Sequence, residues 1–386
     1  MKKIFYLGYY DTPENKSEKR NIVLAATNKM TYIVSALEDC GYSVDLISAS
    51  NTRSKKKCSA KTVNIGRQSQ LYLPKALPWG NKLRRMISVY YSKYRLLKDL
   101  LDFLSKGDTL IVYHSVAYAS IVKLVKKIRQ IKLVLEVEEI YSDVNGSKKD
   151  RAKEFKIFDT ADAYIFPTKL LNEKLNKKNK DYAIIHGTYQ AEKELMPKSE
   201  YRKERGWDND KIHVVYAGTF DPRKGGALAA VKAGEFLSDK YHLHIIGFGE
   251  AQHKNNIIAE IERISLLDGC KASYDGLLSG EDYIKYIQGC DIGLSTQNPK
   301  ASFNDTSFPS KILSYMANGL KVVSVRIPVV EGSAIGDEIT YYDEQSGEEI
   351  AKAIENVNFE TGSDPREIIE KLNVRFIKEI GEMLEK

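Results

Sequence analysis

The sequence is short of several things, and each shortage closes off a class of protein. Its four cysteines, Cys40, Cys58, Cys270 and Cys290, are scattered with no C-x-x-C pair. That pattern predicts free thiols and argues against a disulfide frame or a cysteine-built zinc site. The six histidines read as dispersed along the chain, which predicts no histidine-built metal site. No run of about 18 apolar residues occurs, so no bilayer-spanning helix is expected. The start, Met1-Lys2-Lys3-Ile4-Phe5-Tyr6-Leu7-Gly8, is basic and then apolar, but Tyr9-Tyr10-Asp11 ends the apolar run and a first strand is the better reading. The signatures H-E-x-x-H, G-x-S-x-G and G-x-x-x-x-G-K-[ST] are all missing, which removes the residues of metalloproteases, α/β-hydrolases and P-loop enzymes. One D-x-D triplet, Asp208-Asn209-Asp210, precedes a strand instead of following one and reads as a solvated turn.

What remains is ample for a globular enzyme. At 386 residues the chain exceeds one ordinary domain. Charge is placed unevenly: residues 1–200 carry 37 Lys and Arg against 22 Asp and Glu, an excess of 15, whereas the remainder is acidic. Such asymmetry points to an anionic partner on the basic side, whether nucleic acid, membrane or substrate.

Strand-like and helix-like segments alternate throughout, which predicts mostly parallel sheets covered by helices. Lys3–Gly8, Ser43–Ser48, Thr109–His114, Leu133–Val137, Ala163–Pro167 and Ala183–His186 read as the strands of the first half. Residues 51–75 read as a long polar loop. Leu83, Ile87, Tyr90, Tyr94, Leu97, Leu101 and Leu104 recur at helical spacing, a stripe that could pack on a sheet or lie on anionic lipid. Residues 190–211 lack an apolar period and read as a linker. A second βα series opens at Ile212. The domains are therefore drawn at 1–189, completed by a C-terminal helix at about 366–386, and at 212–365.

Four loops of the second half follow strands, where ligands gather in open α/β sheets. The first, Gly218-Thr219-Phe220-Asp221-Pro222-Arg223-Lys224-Gly225-Gly226, joins glycines, two cations and a helix start, a combination suited to an anion. Gly247-Phe248-Gly249-Glu250 and Tyr274-Asp275-Gly276-Leu277-Leu278 are the second and third. The fourth, Phe308-Pro309-Ser310-Lys311-Ile312-Leu313-Ser314-Tyr315-Met316-Ala317-Asn318-Gly319, predicts a helix over 309–318 with Pro309 in its first turn. A lysine at a helix start opposes the macrodipole, and an anion beside it would relieve that cost.

In this order and spacing the four loops resemble the donor half of group 1 retaining glycosyltransferases, and F-P-S-K resembles the bacterial branch that builds surface polysaccharides. The resemblance covers roughly 212–330 and is thin before it. It implies the GT-B fold, α/β with two Rossmann-like domains facing across a cleft, and transfer of a hexose-type sugar from a nucleotide-diphosphate sugar, UDP-linked, to a glycan or lipid-linked acceptor. By resemblance Thr219, Arg223, Lys224, Ser310 and Lys311 would hold the donor phosphates. Gly247, Leu277, Leu278 and Ser314 would meet the nucleoside, while Ala26, Asn304, Asp305 and Ser307 would face sugar or acceptor. The chain departs from the pattern at Thr219, where many members carry Arg, and at Thr306 and Ser314, where many carry a glutamate pair. Glu136-Val137-Glu138-Glu139 ends a strand, and Glu138 and Glu139 are the candidate catalytic carboxylates. No metal or cofactor is expected, since lysines and arginine would take the cation's place. The expected location is cytoplasmic, possible peripheral contact with an anionic membrane included, with no nucleic-acid partner. A nucleotide-sugar epimerase of the same fold and a non-catalytic sugar-nucleotide-binding subunit are the competing readings.

Overall fold

A computed structural model describes residues 2–142, 148–223, 225–301, 304, 306–360 and 362–386. The chain divides into two compact units, one formed by Met1–Thr188 with Arg375–Lys386, the other by Tyr189–Val374. Each is a twisted, mainly parallel sheet with helices.

The first unit holds β1 (Lys2–Gly8), α1 (Leu24–Asp39), β2 (Tyr42–Ser48), β3 (Lys61–Ile65), β4 (Ser69–Leu73), α2 (Lys82–Phe103), β5 (Thr109–Tyr113), α3 (Ala119–Arg129), β6 (Lys132–Glu136), α4 (Lys148–Phe158), β7 (Ala163–Phe166), α5 (Lys169–Leu175) and β8 (Tyr182–Ile184). The strand order is β3-β4-β2-β1-β5-β6-β7-β8, parallel except for β3 against β4. Central strands such as Thr-Leu-Ile-Val-Tyr of β5 are covered on both faces and so read as unbroken apolar runs. On one face the alternate side chains Phe5, Leu7, Leu110, Val112, Leu133 and Leu135, with Leu96, Leu100 and Leu104 of the α2 segment, form one core.

The second unit runs α6 (Lys198–Glu204), β9 (Ile212–Thr219), α7 (Gly226–Ala233), β10 (Tyr241–Phe248), α8 (Ala251–Ser265), β11 (Lys271–Tyr274), α9 (Gly280–Gln288), β12 (Ile292–Ser295), α10 (Lys311–Ala317), β13 (Lys321–Val325), α11 (Pro328–Glu331), β14 (Ile339–Tyr342) and α12 (Gly347–Glu355). Helix α13 (Pro365–Glu385) runs on into the first unit. The sheet order β11-β10-β9-β12-β13-β14 is doubly wound, and its direction reverses between β9 and β12. Ligands of such sheets bind beyond the carboxyl ends at that reversal.

Four expectations are corrected. Residues 51–75 are not all loop: Lys61–Ile65 and Ser69–Leu73 pair antiparallel as an extension of the first sheet. The supposed linker is folded. Its helix α6 places buried Arg202 2.6 Å and Lys198 3.0 Å from the Asp291 carboxylate, and Trp207 stacks on histidines of β9 and β10. The stripe on α2 is shifted and split. Ser88, Leu96, Asp99 and Leu100 are its buried residues, while Leu83, Met86, Ile87, Tyr90 and Tyr94 are exposed. Finally, α10 begins at Lys311, so Pro309 lies outside it and accepts the Ile312 N–H at 3.0 Å.

Candidate functional site

In the second unit the loops after β9, β10 and β11 are tied edge to edge. The Gly247 N–H donates to the Gly276 carbonyl (2.8 Å), the Phe220 N–H to the Phe248 carbonyl (2.8 Å) and the Tyr274 hydroxyl to the Gly247 carbonyl (3.1 Å). Gly247 has φ +140°, and a Cβ there would stand 1.8 Å from the Gly218 carbonyl oxygen, so only glycine lets these loops close up. At the reversal point a Cβ on Gly226 would stand 2.1 Å from the Thr296 carbonyl oxygen. The Thr296 hydroxyl in turn donates to the Gly226 carbonyl at 2.7 Å. The first loop is thus clamped to the end of β12.

Helix α10 enters the same place from the other side. The fully buried Tyr315 hydroxyl accepts the Ala217 N–H at 2.9 Å, fixing the helix to β9. One turn earlier, Lys311 Nζ lies 4.0 Å from the centre of the Tyr216 ring and close enough to Gly218 that a Cβ there would approach it to 3.1 Å. The Tyr216 hydroxyl donates to the Thr219 carbonyl at 3.2 Å and so holds that ring under the ammonium. Distant in sequence, Gly218, Thr219, Gly247 and Lys311 form one cluster at the carboxyl ends of β9 and β10. Backbone dipoles and an ammonium meeting there are suited to an anion.

Other expected residues fall as follows. Within this cluster Thr219 is exposed, as is Ser310, the residue before Lys311. Arg223 is also exposed, but its guanidinium grips Asp221 at 2.7 Å, so an anion would have to compete with a carboxylate for it. Leu277 is exposed and Leu278 half-buried on the loop after β11. Ser314 meets the Tyr283 hydroxyl at 3.2 Å, and Ser307 is half-buried. Asn304 is buried, with its amide committed to Gln297 (2.7 Å) and to the carbonyls of Asn298 (2.9 Å) and Pro299 (3.0 Å). Its placement gives it the work of shaping the loop. Lys224 and Asp305 lie outside the described residues. The D-x-D triplet is an exposed turn, with the Asp210 N–H donating to the Asp208 carboxylate at 2.9 Å.

The first unit gathers a second polar group at the carboxyl end of β6. Glu138 pairs with Lys29 at 2.5 Å and keeps partial exposure. Glu139 is half-buried. Ala26 is buried one turn before Lys29 on α1, whose Met30 presses on Gly8 at the end of β1. Glu136, fully buried, accepts the Tyr6 hydroxyl, and its other oxygen has no hydrogen-bond partner among the described residues. Burial, with the Glu138 charge adding to it, pushes the Glu136 carboxyl up to about 8. This shift favours its protonated form at neutral pH. His114, buried just beyond β5, is pushed down to about 4 by burial, so it is neutral, and it lies 3.5 Å from Glu154. Sequence reasoning passed over Lys29, His114 and the special state of Glu136. The Glu-x-Glu spacing was the available signal, since alternate residues at a strand end share a face.

The expectation of dispersed histidines is corrected. His213, His242 and His244 come together in the second unit because β9 and β10 pair with His213 opposite His242. A His-x-His run in a strand next to another histidine-bearing strand was the overlooked signal.

No family model matches the chain, and no curated protein does. Solved structures do match. A sucrose-phosphate synthase from Thermosynechococcus elongatus has a TM-score of 0.66 at 13% identity, covering 100% of this chain and 98% of its own. The Anabaena protein HepE, solved in complex with UDP and glucose, has a TM-score of 0.66 at 13% identity and covers 100% of both chains. An alpha,alpha-trehalose 6-phosphate synthase from Burkholderia multivorans has a TM-score of 0.63 at 11% identity, over 98% of this chain and 93% of that one. At such identities the likeness establishes the fold, two α/β units of the GT-B type, and the activity has to be argued from the site.

Proposed function

We propose that the protein is a glycosyltransferase that moves a hexose-type sugar from a UDP-linked donor to a glycan or lipid-linked acceptor in polysaccharide biosynthesis, with retention at the anomeric carbon. The observation that carries this reading is the placement of Lys311 Nζ beside Gly218 and over Tyr216, where four strand-end loops converge. In the reaction the anomeric C–O bond to the diphosphate breaks, a bond to the acceptor oxygen forms, and the acceptor proton is lost. Negative charge grows on the departing diphosphate. Lys311, the backbone around Gly218 and Thr219, and Ser310 would stabilise it as preorganised electrostatics. The Anabaena relative in fold was solved with UDP and glucose, which supports the choice of a uridine diphosphate donor.

Acceptor recognition is assigned to the first unit. There Glu138, oriented by Lys29, is the accessible carboxylate that would position or deprotonate an acceptor hydroxyl. The exposed apolar residues of α2, among them Leu83, Met86, Ile87 and Tyr90, alternate with Arg84, Arg85 and Lys93. This composition suits an interfacial helix on anionic lipid and supports peripheral attachment near a lipid-linked acceptor. No helix among the described residues is long and apolar enough to cross a membrane.

The test is a screen of nucleotide sugars by thermal shift, followed by assay of UDP release with candidate acceptors in the presence of a chelator. A bound donor raises the melting temperature by mass action, and transfer should proceed without added divalent metal. A chain stabilised by no nucleotide sugar, or activity abolished by chelator and restored by magnesium or manganese, would overturn the reading.

A further inference from the structure

The geometry points to a transition-metal site built from His213, His242 and His244, separate from the donor loops. Paired strands bring His213 opposite His242, and His244, two residues on, shares its face. All three are buried, and one ring nitrogen of each lies within 4.8 Å of the others. His213 is the second residue of β9 and Gly218 the seventh, which separates the two sites by roughly 16 Å along the strand.

The ring hydrogens fix which lone pairs are open. His213 Nε2 lies 2.8 Å from the Asp208 carbonyl oxygen, which can only accept, so Nε2 bears the hydrogen and the open lone pair is on Nδ1. Ser273 and Tyr286 each donate their hydroxyl hydrogen to the Asp275 carboxylate, at 2.8 and 2.6 Å. Towards His244 Nδ1, at 3.3 and 3.1 Å, those hydroxyls present lone pairs, so Nδ1 bears the hydrogen and the open lone pair is on Nε2. Yet His213 Nδ1 and His244 Nε2 face each other at 2.8 Å. Two lone pairs at that distance repel unless a cation lies between them. His242 Nε2 reaches the same Ser273 oxygen at 3.3 Å, which leaves its lone pair on Nδ1.

A shared proton would join two of these rings; a metal ion would also engage the Nδ1 lone pair of the third. Outer N–H groups anchored to a carbonyl and to hydroxyls backed by a carboxylate are the usual second layer around metal-binding histidines. Imidazole nitrogens select a zinc-like ion over magnesium or calcium. Zinc–nitrogen bonds of about 2.0–2.1 Å in a tetrahedral site place nitrogens roughly 3.3 Å apart, so the His213 and His244 rings need part by about half an ångström, and the His242 ring, stacked on His244 with centroids 4.0 Å apart, has to turn its Nδ1 towards the ion. Trp207 stacks on His244 with centroids 4.0 Å apart and covers the cluster. The ion would fasten the Trp207–Asp208 segment to β9 and β10.

The test uses the full chain, with any affinity tag removed, dialysed against chelator and titrated with Zn²⁺ or Co²⁺. One ion per chain should bind, the melting temperature should rise by several degrees, and Co²⁺ should give the visible absorption of a tetrahedral nitrogen site. Ser273→Ala keeps all three ligands and should weaken zinc binding about 10- to 100-fold. His242→Gln should abolish it, and the half-buried His253→Gln should change nothing. No stoichiometric binding and no thermal shift in the unmutated chain would overturn the proposal. So would binding that survives both His242→Gln and Ser273→Ala, because the ion would then sit elsewhere.

Discussion

Replacing Lys311 by alanine tests the donor site at its most exposed point of logic. In the structure the ammonium rests on Tyr216 at 4.0 Å, a contact worth about 0.5–1 kcal/mol at a partly exposed position. The unit containing it spans Tyr189–Val374, and for a unit of that size 1 kcal/mol moves Tm by about 2–4 °C. Loss of that contact should therefore cost the fold a few degrees. A charge-assisted hydrogen bond to a diphosphate is worth about 1.5–3 kcal/mol, which corresponds to roughly a tenfold to hundredfold loss. Because diphosphate charge grows as the anomeric bond breaks, part of that loss should fall on kcat and part on donor affinity. Calorimetry with UDP and steady-state UDP release measure the two parts separately. Lys311→Met keeps a chain over Tyr216 without charge and should impair binding as much as alanine does, with less effect on Tm. Lys311→Ala with unchanged donor Kd and unchanged kcat would refute the assignment of this loop.

Three further outcomes are expected. Gly247→Ala puts a Cβ 1.8 Å from the Gly218 carbonyl at a φ of +140°, so it should lower stability by about 1–3 kcal/mol and abolish donor binding; an unaltered melting curve would contradict the close packing of these loops. Glu136 holds its proton to about pH 8 against an ordinary 4.5. Since the unfolded chain gives up that proton earlier, the group's contribution falls as pH rises from about 4.5 to 8, by up to about 1.4 kcal/mol per unit, and is constant below and above. Glu136→Gln should remove this dependence, so its Tm should gain on the parent steadily from pH 5 to 8; parallel pH profiles would show that Glu136 is not a buried acid. Vesicles of anionic lipid should sediment the protein at low salt and release it as salt is raised, and Leu83→Asp with Ile87→Asp should abolish the association; equal binding by that variant would remove α2 from the membrane reading.

Local signals made much of this protein readable. Alternating strand and helix periods predicted two parallel α/β units, because a strand buried on both faces must be apolar throughout and a covering helix must repeat every three to four residues. The glycine-rich turn after β9 and the F-P-S-K segment before α10 stood out because each joins cations to a helix start at a strand's carboxyl end, a combination suited to an anion. Where misreadings occurred, the deciding interaction was distant. Residues 190–211 look like a tether until Asp291 draws in Arg202 and Lys198. The stripe on α2 has helical spacing on more than one face, and only the packed core selects Leu96 and Leu100.

The sequence by itself determined the fold class, the strand-end loops and the lysine on which the proposed activity turns, since these are matters of period and residue type. Only tertiary structure decided which charged groups meet. Strand register set His213 opposite His242, and burial made Glu136 an acid while leaving Glu138 accessible beside Lys29. Pairing across strands and loss of water depend on residues far apart in the chain, and neither leaves a mark in local composition.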